Sequence, residues 1–198
     1  MNAMHRTRAR LAKAVCLAVL AAATMTSCAA VSNLASPDNV VLGLASAQPA
    51  FARNEAVRIK VILENQGAAA TGLSEMLDGT LAVTSFTRDG VDVARRRSPI
   101  EYEDDLATVL ERSLRSVGPG GRAVMNWKSA NDRTLGGQAV RTVAFSGAAE
   151  HMATYYSVGA PGTYEIVASY AYPGPAGAFG RVFRGPTREA RVKFVITP

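Results

Sequence analysis

The sequence predicts an all-β sandwich of about seven or eight strands, with one α-helix inserted near residues 102–117. Three observations carry this reading. Short segments alternate apolar and polar residues with period two, the pattern of strands with one wet face. Clusters of Gly, Pro, Asn and Asp separate those segments at short spacing. One segment breaks the rhythm, with apolar residues three and four apart.

The chain opens with His5, Arg6, Arg8, Arg10 and Lys13, and no acid precedes Asp38. An apolar run follows from Ala14 to Ala23, too short to cross a bilayer of about 30 Å as a helix. A basic start, a short apolar stretch and small residues after it form a secretory signal over residues 1–27. Residues 28–39 are small, polar and without periodicity, which reads as a tether. The folded domain then spans residues 40–198. Cutting before Cys28 leaves 171 residues, enough for a core of ordinary size.

The leader distorts the charge balance. Of 22 basic residues, Arg6, Arg8, Arg10 and Lys13 lie in it with none of the 16 acids. That leaves 18 against 16, a net +2 in place of the full-chain +6. A nearly neutral domain lacks the dense basic face that nucleic-acid binding needs, so no nucleic-acid partner is expected. Cys16 falls in the apolar run and Cys28 at its end, so the domain has no cysteine left for a disulfide.

Along the domain, Ala56 to Asn65 sets Val57, Ile59, Val61 and Leu63 against Arg58, Lys60 and Glu64, and Asn65-Gln66-Gly67 ends it. Thr80 to Thr87 sets Leu81, Val83 and Ser85 against Ala82, Thr84 and Phe86. Asp89-Gly90 after it is a hairpin signal. From Glu101 to Val117 the residues Leu106, Val109, Leu110, Leu114 and Val117 keep helical spacing. Acids lead that segment, Arg112 and Arg115 come late, and Gly118-Pro119 stops it, as the helix dipole favours. Ala123 to Lys128, Gln138 to Ser146 and the short Tyr155 to Val158 read as further strands. Tyr164 to Tyr172 places Tyr164, Ile166, Ala168, Tyr170 and Tyr172 on one face. Glu189 to Ile196 does the same with Ala190, Val192, Phe194 and Ile196.

Two resemblances add to this. Met25-Thr26-Ser27-Cys28 resembles the bacterial lipobox, with Met25 where leucine is usual. The resemblance implies a lipid on Cys28, cleavage before it and attachment to a membrane of the cell envelope. With Ala29 rather than aspartate next, it implies the outer membrane facing the periplasm in a diderm host, and the cell surface in a monoderm one. Ordinary cleavage near Ala29-Ala30, or an uncleaved anchor, stays open on the same residues. Pro161-Gly162-Thr163-Tyr164 ahead of an alternating strand resembles the corner of immunoglobulin-like and fibronectin-like domains. That resemblance implies an immunoglobulin-like sandwich with Tyr164 bonding back to the chain. The Gly118-Pro119-Gly120-Gly121 turn, the Trp127 strand and the final Gly-Thr-Tyr strand are similar in order to the intracellular proteinase inhibitor family.

Candidate sites are few. His151 alone remains in the mature chain, next to Glu150, and reads as an exposed loop residue. No metal or cofactor motif is present, and neither a Ser-His-Asp set nor a cysteine nucleophile can be assembled. The acids Glu101, Glu103, Asp104 and Asp105 lack calcium-loop spacing and suit a helix start. Arg95, Arg96 and Arg97 form the densest basic run, either a contact for anionic surfaces or a solvated strand end. Tyr172, Phe179, Arg181 and Phe183 lie on a Pro/Gly-rich connection. They make either a partner-binding loop or a hairpin folded back on the core. The expectation is a non-enzymatic, membrane-anchored interaction or structural module whose partner is another envelope protein or a glycan. A protease inhibitor presenting Pro173 to Arg181, and an envelope hydrolase using paired carboxylates, are the alternatives.

Overall fold

The computed structural model describes residues 39–145 and 151–198. The leader, Cys28 and the tether up to residue 38 lie outside the described residues. The rest is mostly β, with a single short helix among the described residues.

The strands in chain order are β1 (Val40–Ser46), β2 (Ala50–Ala52), β3 (Arg58–Asn65), β4 (Thr71–Ser74), β5 (Leu81–Arg88), β6 (Val91–Asp92) and β7 (Arg95–Ile100). After the helix α1 (Leu106–Arg112) come β8 (Leu114–Val117), β9 (Arg122–Lys128), β10 (Ala130–Asp132) and β11 (Gly137–Ala144). The chain closes with β12 (His151–Ser157), β13 (Gly162–Tyr170) and β14 (Ala190–Thr197). They form a sheet β1-β3-β9, a sheet β2-β14-β13-β5-β6, a sheet β10-β11-β12-β7 and the pair β4-β8.

Alternation dictates which faces meet. Ile59, Val61 and Leu63 of β3 are buried while Arg58 and Lys60 are exposed. On β14, Ala190, Val192, Phe194 and Ile196 are buried and the residues between them exposed. One contiguous apolar cluster collects these side chains with Leu106 and Leu110 of α1 and Val140, Val143 and Ala153 of the four-stranded sheet. Removing that area from water, at about 25 cal/mol per Å², is what holds a disulfide-free domain of this size together.

The strand count is fourteen among the described residues, where the sequence predicts seven or eight, because several long segments are joined by edge strands of two to four residues. Three further expectations change on contact with the fold. Phe86 is buried on the same side as Leu81, although strict alternation opposes them. The pairing explains it: Ser85 faces Val167 and Val83 faces Ala168, so Thr84 is an extra residue in a bulge that turns the phase. The helix is shorter than residues 102–117. Leu114 to Val117 is a strand whose backbone pairs with Thr71 to Ser74, and the acids before Leu106 precede the helix rather than entering its first turn. Leu114 and Val117 are three apart, a spacing that a short segment can satisfy without being helical. His151 is 3% exposed, the first residue of β12, with Phe145 stacked on its ring and Tyr102 at its edge.

The hairpin signal at Asp89-Gly90 corresponds to a two-residue turn. Arg88 pairs with Val91 around it, with Asp89 at φ 52° and Gly90 at φ 82°. Both values fit the turn type that follows strand twist. Tyr164, at the start of β13, donates from its hydroxyl to the Ala160 carbonyl at 2.7 Å. Its ring stacks on Phe194 at 5.2 Å and 3°.

Removing that hydroxyl leaves the ring packing intact and one carbonyl without its donor. The variant Tyr164→Phe is expected to lose about 1 kcal/mol of unfolding free energy in urea, with an unchanged denaturant slope.

Candidate binding groove

β9 is the outermost strand of its sheet, and its hydrogen-bond phase can be read from the two ends of the ladder. Asn65 N–H donates to the Gly121 carbonyl at 3.0 Å, and Ser129 N–H donates to the Val57 carbonyl at 2.9 Å. In an antiparallel pair, bonded positions alternate. The bonded partners are therefore Leu63 with Ala123, Val61 with Met125 and Ile59 with Trp127. The N–H and C=O groups of Val124, Asn126 and Lys128 point the other way. Among the described residues, no strand pairs with that side of β9.

A groove of about 700 Å³ runs along this free edge. Met125 and Trp127 of β9 line it, with Met76, Leu77 and Asp78 of the β4–β5 connection and Arg141 of β11. Trp127 reaches across and donates its indole N–H to the Arg141 carbonyl at 2.8 Å. Its ring is buried, whereas Val124, three residues earlier on the strand, is 53% exposed. The far wall is pinned by ions. Asp78 accepts from Arg141 and from the Tyr102 hydroxyl, the latter at 2.8 Å. Burial first, and the Asp78 carboxylate second, push the Tyr102 hydroxyl well above its ordinary range. Glu75 faces Arg115 at 3.6 Å.

The outer face beside the edge is basic. Arg58 and Lys60 of β3 and Arg122 and Lys128 of β9 point outward with Glu64. Arg122 pairs with Glu64 at 2.6 Å. Lys60 and Lys128 form no ion pair among the described residues, so this face carries uncompensated positive charge. No group of three or more His, Cys, Asp or Glu placed to hold a metal ion occurs among the described residues. What the groove offers is unmet backbone donors and acceptors beside apolar and cationic side chains, which suits binding by a polypeptide.

The residues singled out from sequence lie elsewhere. Arg95, Arg96 and Arg97 are on β7, an edge strand of the four-stranded sheet, and alternate in face. Arg96 pairs with Asp132 at 2.6 Å and lies over the Tyr155 ring at 3.9 Å. Arg95 and Arg97 project from the opposite face, so the run does not make one patch. Tyr172 and Phe183 are 1% and 4% exposed, folded into the core. Tyr172 donates to the Pro175 carbonyl at 2.7 Å. Phe179 is half-buried beside Gly72, leaving Arg181 as the exposed member of the four. Cys28 lies outside the described residues. The groove residues were missed because the alternation in Ala123 to Lys128 identifies a strand and carries no sign of which neighbours it lacks.

Comparisons with known proteins add little. No protein-family model matches the chain, and no curated protein does. One solved structure, described as "AvmM Catalyzes Macrocyclization in Alchivemycin A Biosynthesis", is 14% identical. The match covers 81% of this chain and 90% of that one at a TM-score of 0.32. A likeness at that level bears on neither fold nor activity.

The Arg96–Asp132 pair gives the domain a defined acid response. The Arg96 hydrogen bond, joined by N–H bonds from Thr134 and Leu135, holds the Asp132 carboxyl below its ordinary value against the opposing effect of burial. A carboxyl lowered in the folded state stabilises it above the unfolded pKa, and that stability is lost as pH falls through the folded value. Unfolding free energy measured in urea at stepped pH should therefore fall faster through the acidic range for the wild type than for Asp132→Asn. Equal slopes would mean the pair adds nothing.

Proposed function

We propose that this chain is an exported lipoprotein of the cell envelope whose body is a non-enzymatic, protein-binding β-sandwich of the immunoglobulin-like kind. The observation that carries the binding part is the open β9 edge with its groove. The address rests on the basic, apolar leader ending in Met25-Thr26-Ser27-Cys28. A lipid on Cys28 adds membrane affinity of about 0.8 kcal/mol per buried methylene, and more than one acyl chain makes the attachment durable. The segment from Cys28 to Asn39 is followed directly by β1 at Val40. Fully extended, it reaches about 40 Å, so the domain works within one domain diameter of the bilayer.

The immunoglobulin-like reading draws support from two sheets, β1-β3-β9 and β2-β14-β13-β5-β6, that contribute to one core. The Tyr164 hydroxyl bond to a carbonyl four residues upstream supports it too.

A second reading is protease inhibition through the connection after β13. Its base is tied by Tyr172 to the Pro175 carbonyl and by Arg184 to the Gly174 carbonyl, while Pro173, Pro175 and Arg181 stay exposed. A loop stiffened this way loses little entropy on entering an active site. Inhibition of none of a broad protease panel removes this reading.

The anchor is tested by labelling cells with a palmitate analogue. The wild type is expected to take up label and sediment with membranes. Cys28→Ser is expected to lose both. An unlabelled wild type refutes the lipoprotein assignment without touching the binding groove.

A further inference from the structure

We infer that the free edge of β9 takes an extended segment of a partner protein as an added β-strand, with apolar side chains turned into the groove and acidic ones on the outer face. This deepens the protein-binding reading and rests on it, but not on the lipid anchor.

The first argument compares the edges of this fold. A long bare edge invites pairing, and natural sheets cover, shorten or charge theirs. β2, β6 and β10 are edges of three, two and three residues. β1 is buried from Val40 to Leu44. β7 carries three arginines and Pro99, a residue that cannot donate to a ladder. β8 is four residues with Arg115 at its centre. β9 is the exception: seven residues, its middle occupied by Val124, Met125 and Asn126, with no proline. Charge guards this edge only at its two ends, Arg122 and Lys128, and leaves the stretch from Val124 to Asn126 between them uncovered.

The second argument is what an added strand would meet. Its backbone would find the N–H and C=O groups of Val124, Asn126 and Lys128. Period two sends alternate side chains to opposite faces. One set enters the groove over Met125, Trp127 and Leu77, which are apolar. The other set lies on the outer face beside Lys128 and Arg122, with Lys60 one strand further in. Like charge opposite Lys128 would repel and an acid would pair with it, whereas Arg122 is already held by Glu64. Hence the partner segment alternates apolar and acidic residues. A second copy of β9 fits less well, because pairing the edge with itself brings Lys128 and Arg122 of both copies onto one face.

The test uses the full chain in detergent and an acetylated, amidated peptide, TVEVEVT, with Trp127, the single tryptophan of the chain, excited selectively as the reporter. Saturable quenching or enhancement is expected, together with slowed amide exchange at Val124, Asn126 and Lys128. The charge-swapped peptide TVKVKVT is expected to bind about fivefold more weakly. A TVEVEVT analogue N-methylated on its edge-facing amides should not bind. Asn126→Pro removes an edge donor without costing a bond to β3, and should abolish binding while leaving the unfolding midpoint near that of the wild type. Should that variant fail to fold, the N-methylated peptide probes the same bonds against wild-type protein. Absence of TVEVEVT binding overturns the inference, as does equal binding of the N-methylated peptide or stronger binding of TVKVKVT. It is also overturned if those three amides are already protected without peptide. Concentration-dependent protection would assign the edge to a second copy, and concentration-independent protection to this chain's own residues.

Discussion

β13 is hydrogen-bonded on both sides along most of its length, to β14 and to β5. A strand so placed has no free backbone group and must bury side chains on at least one face. It does so with Tyr164, Ile166, Ala168 and Tyr170, all at most 1% exposed. Each tyrosine joins the strand to another part of the chain through its hydroxyl. Tyr164 bonds the preceding turn, and Tyr170 accepts the Ser74 N–H at 2.9 Å from β4. Burial pushes the Tyr170 hydroxyl well above its ordinary range. The described residues contain no cysteine, so the Tyr170 hydroxyl supplies a long-range tie to β4 that no disulfide makes, while the Tyr164 hydroxyl fixes the local turn.

Much of this was legible beforehand, and for a physical reason. β3, β13 and β14 each have one face in the apolar cluster, so their period is written in adjacent residues. The Asp89-Gly90 turn was legible because left-handed backbone restricts residue choice. Features that depend on distant partners were not. Thr84 bulges out of β5 because of where β13 lies. Leu114 and Val117 belong to β8 because β4 offers a bare ladder. β1 is buried on both faces and shows no alternation at all. His151 looked like a loop residue because Glu150 precedes it, while the rings that enclose it come from Tyr102 and Phe145.

The candidate site follows the same division. Trp127 and its strand stood out in the sequence, and the arginine run at 95–97 stood out more. In the fold Arg96 is the partner of Asp132, Arg95 and Arg97 stand exposed on β7, and the quieter strand is left bare. An edge is a statement about a missing neighbour, and no residue type encodes an absence. The aromatics of the connection after β13 show the converse. Tyr172 and Phe183 have a composition typical of recognition loops, yet both are drawn inward, where their apolar area counts for more.

Ser74 is held by the Tyr170 hydroxyl, and the chain that leaves it forms the far bank of the cleft beside Trp127. That bank is fastened again at Asp78 by Arg141, and Trp127 spans to the same Arg141 residue. The opening is thus braced from both sides before any guest arrives. A visitor would lose its own freedom on docking, but the host's share of that entropy is already given up when the domain folds.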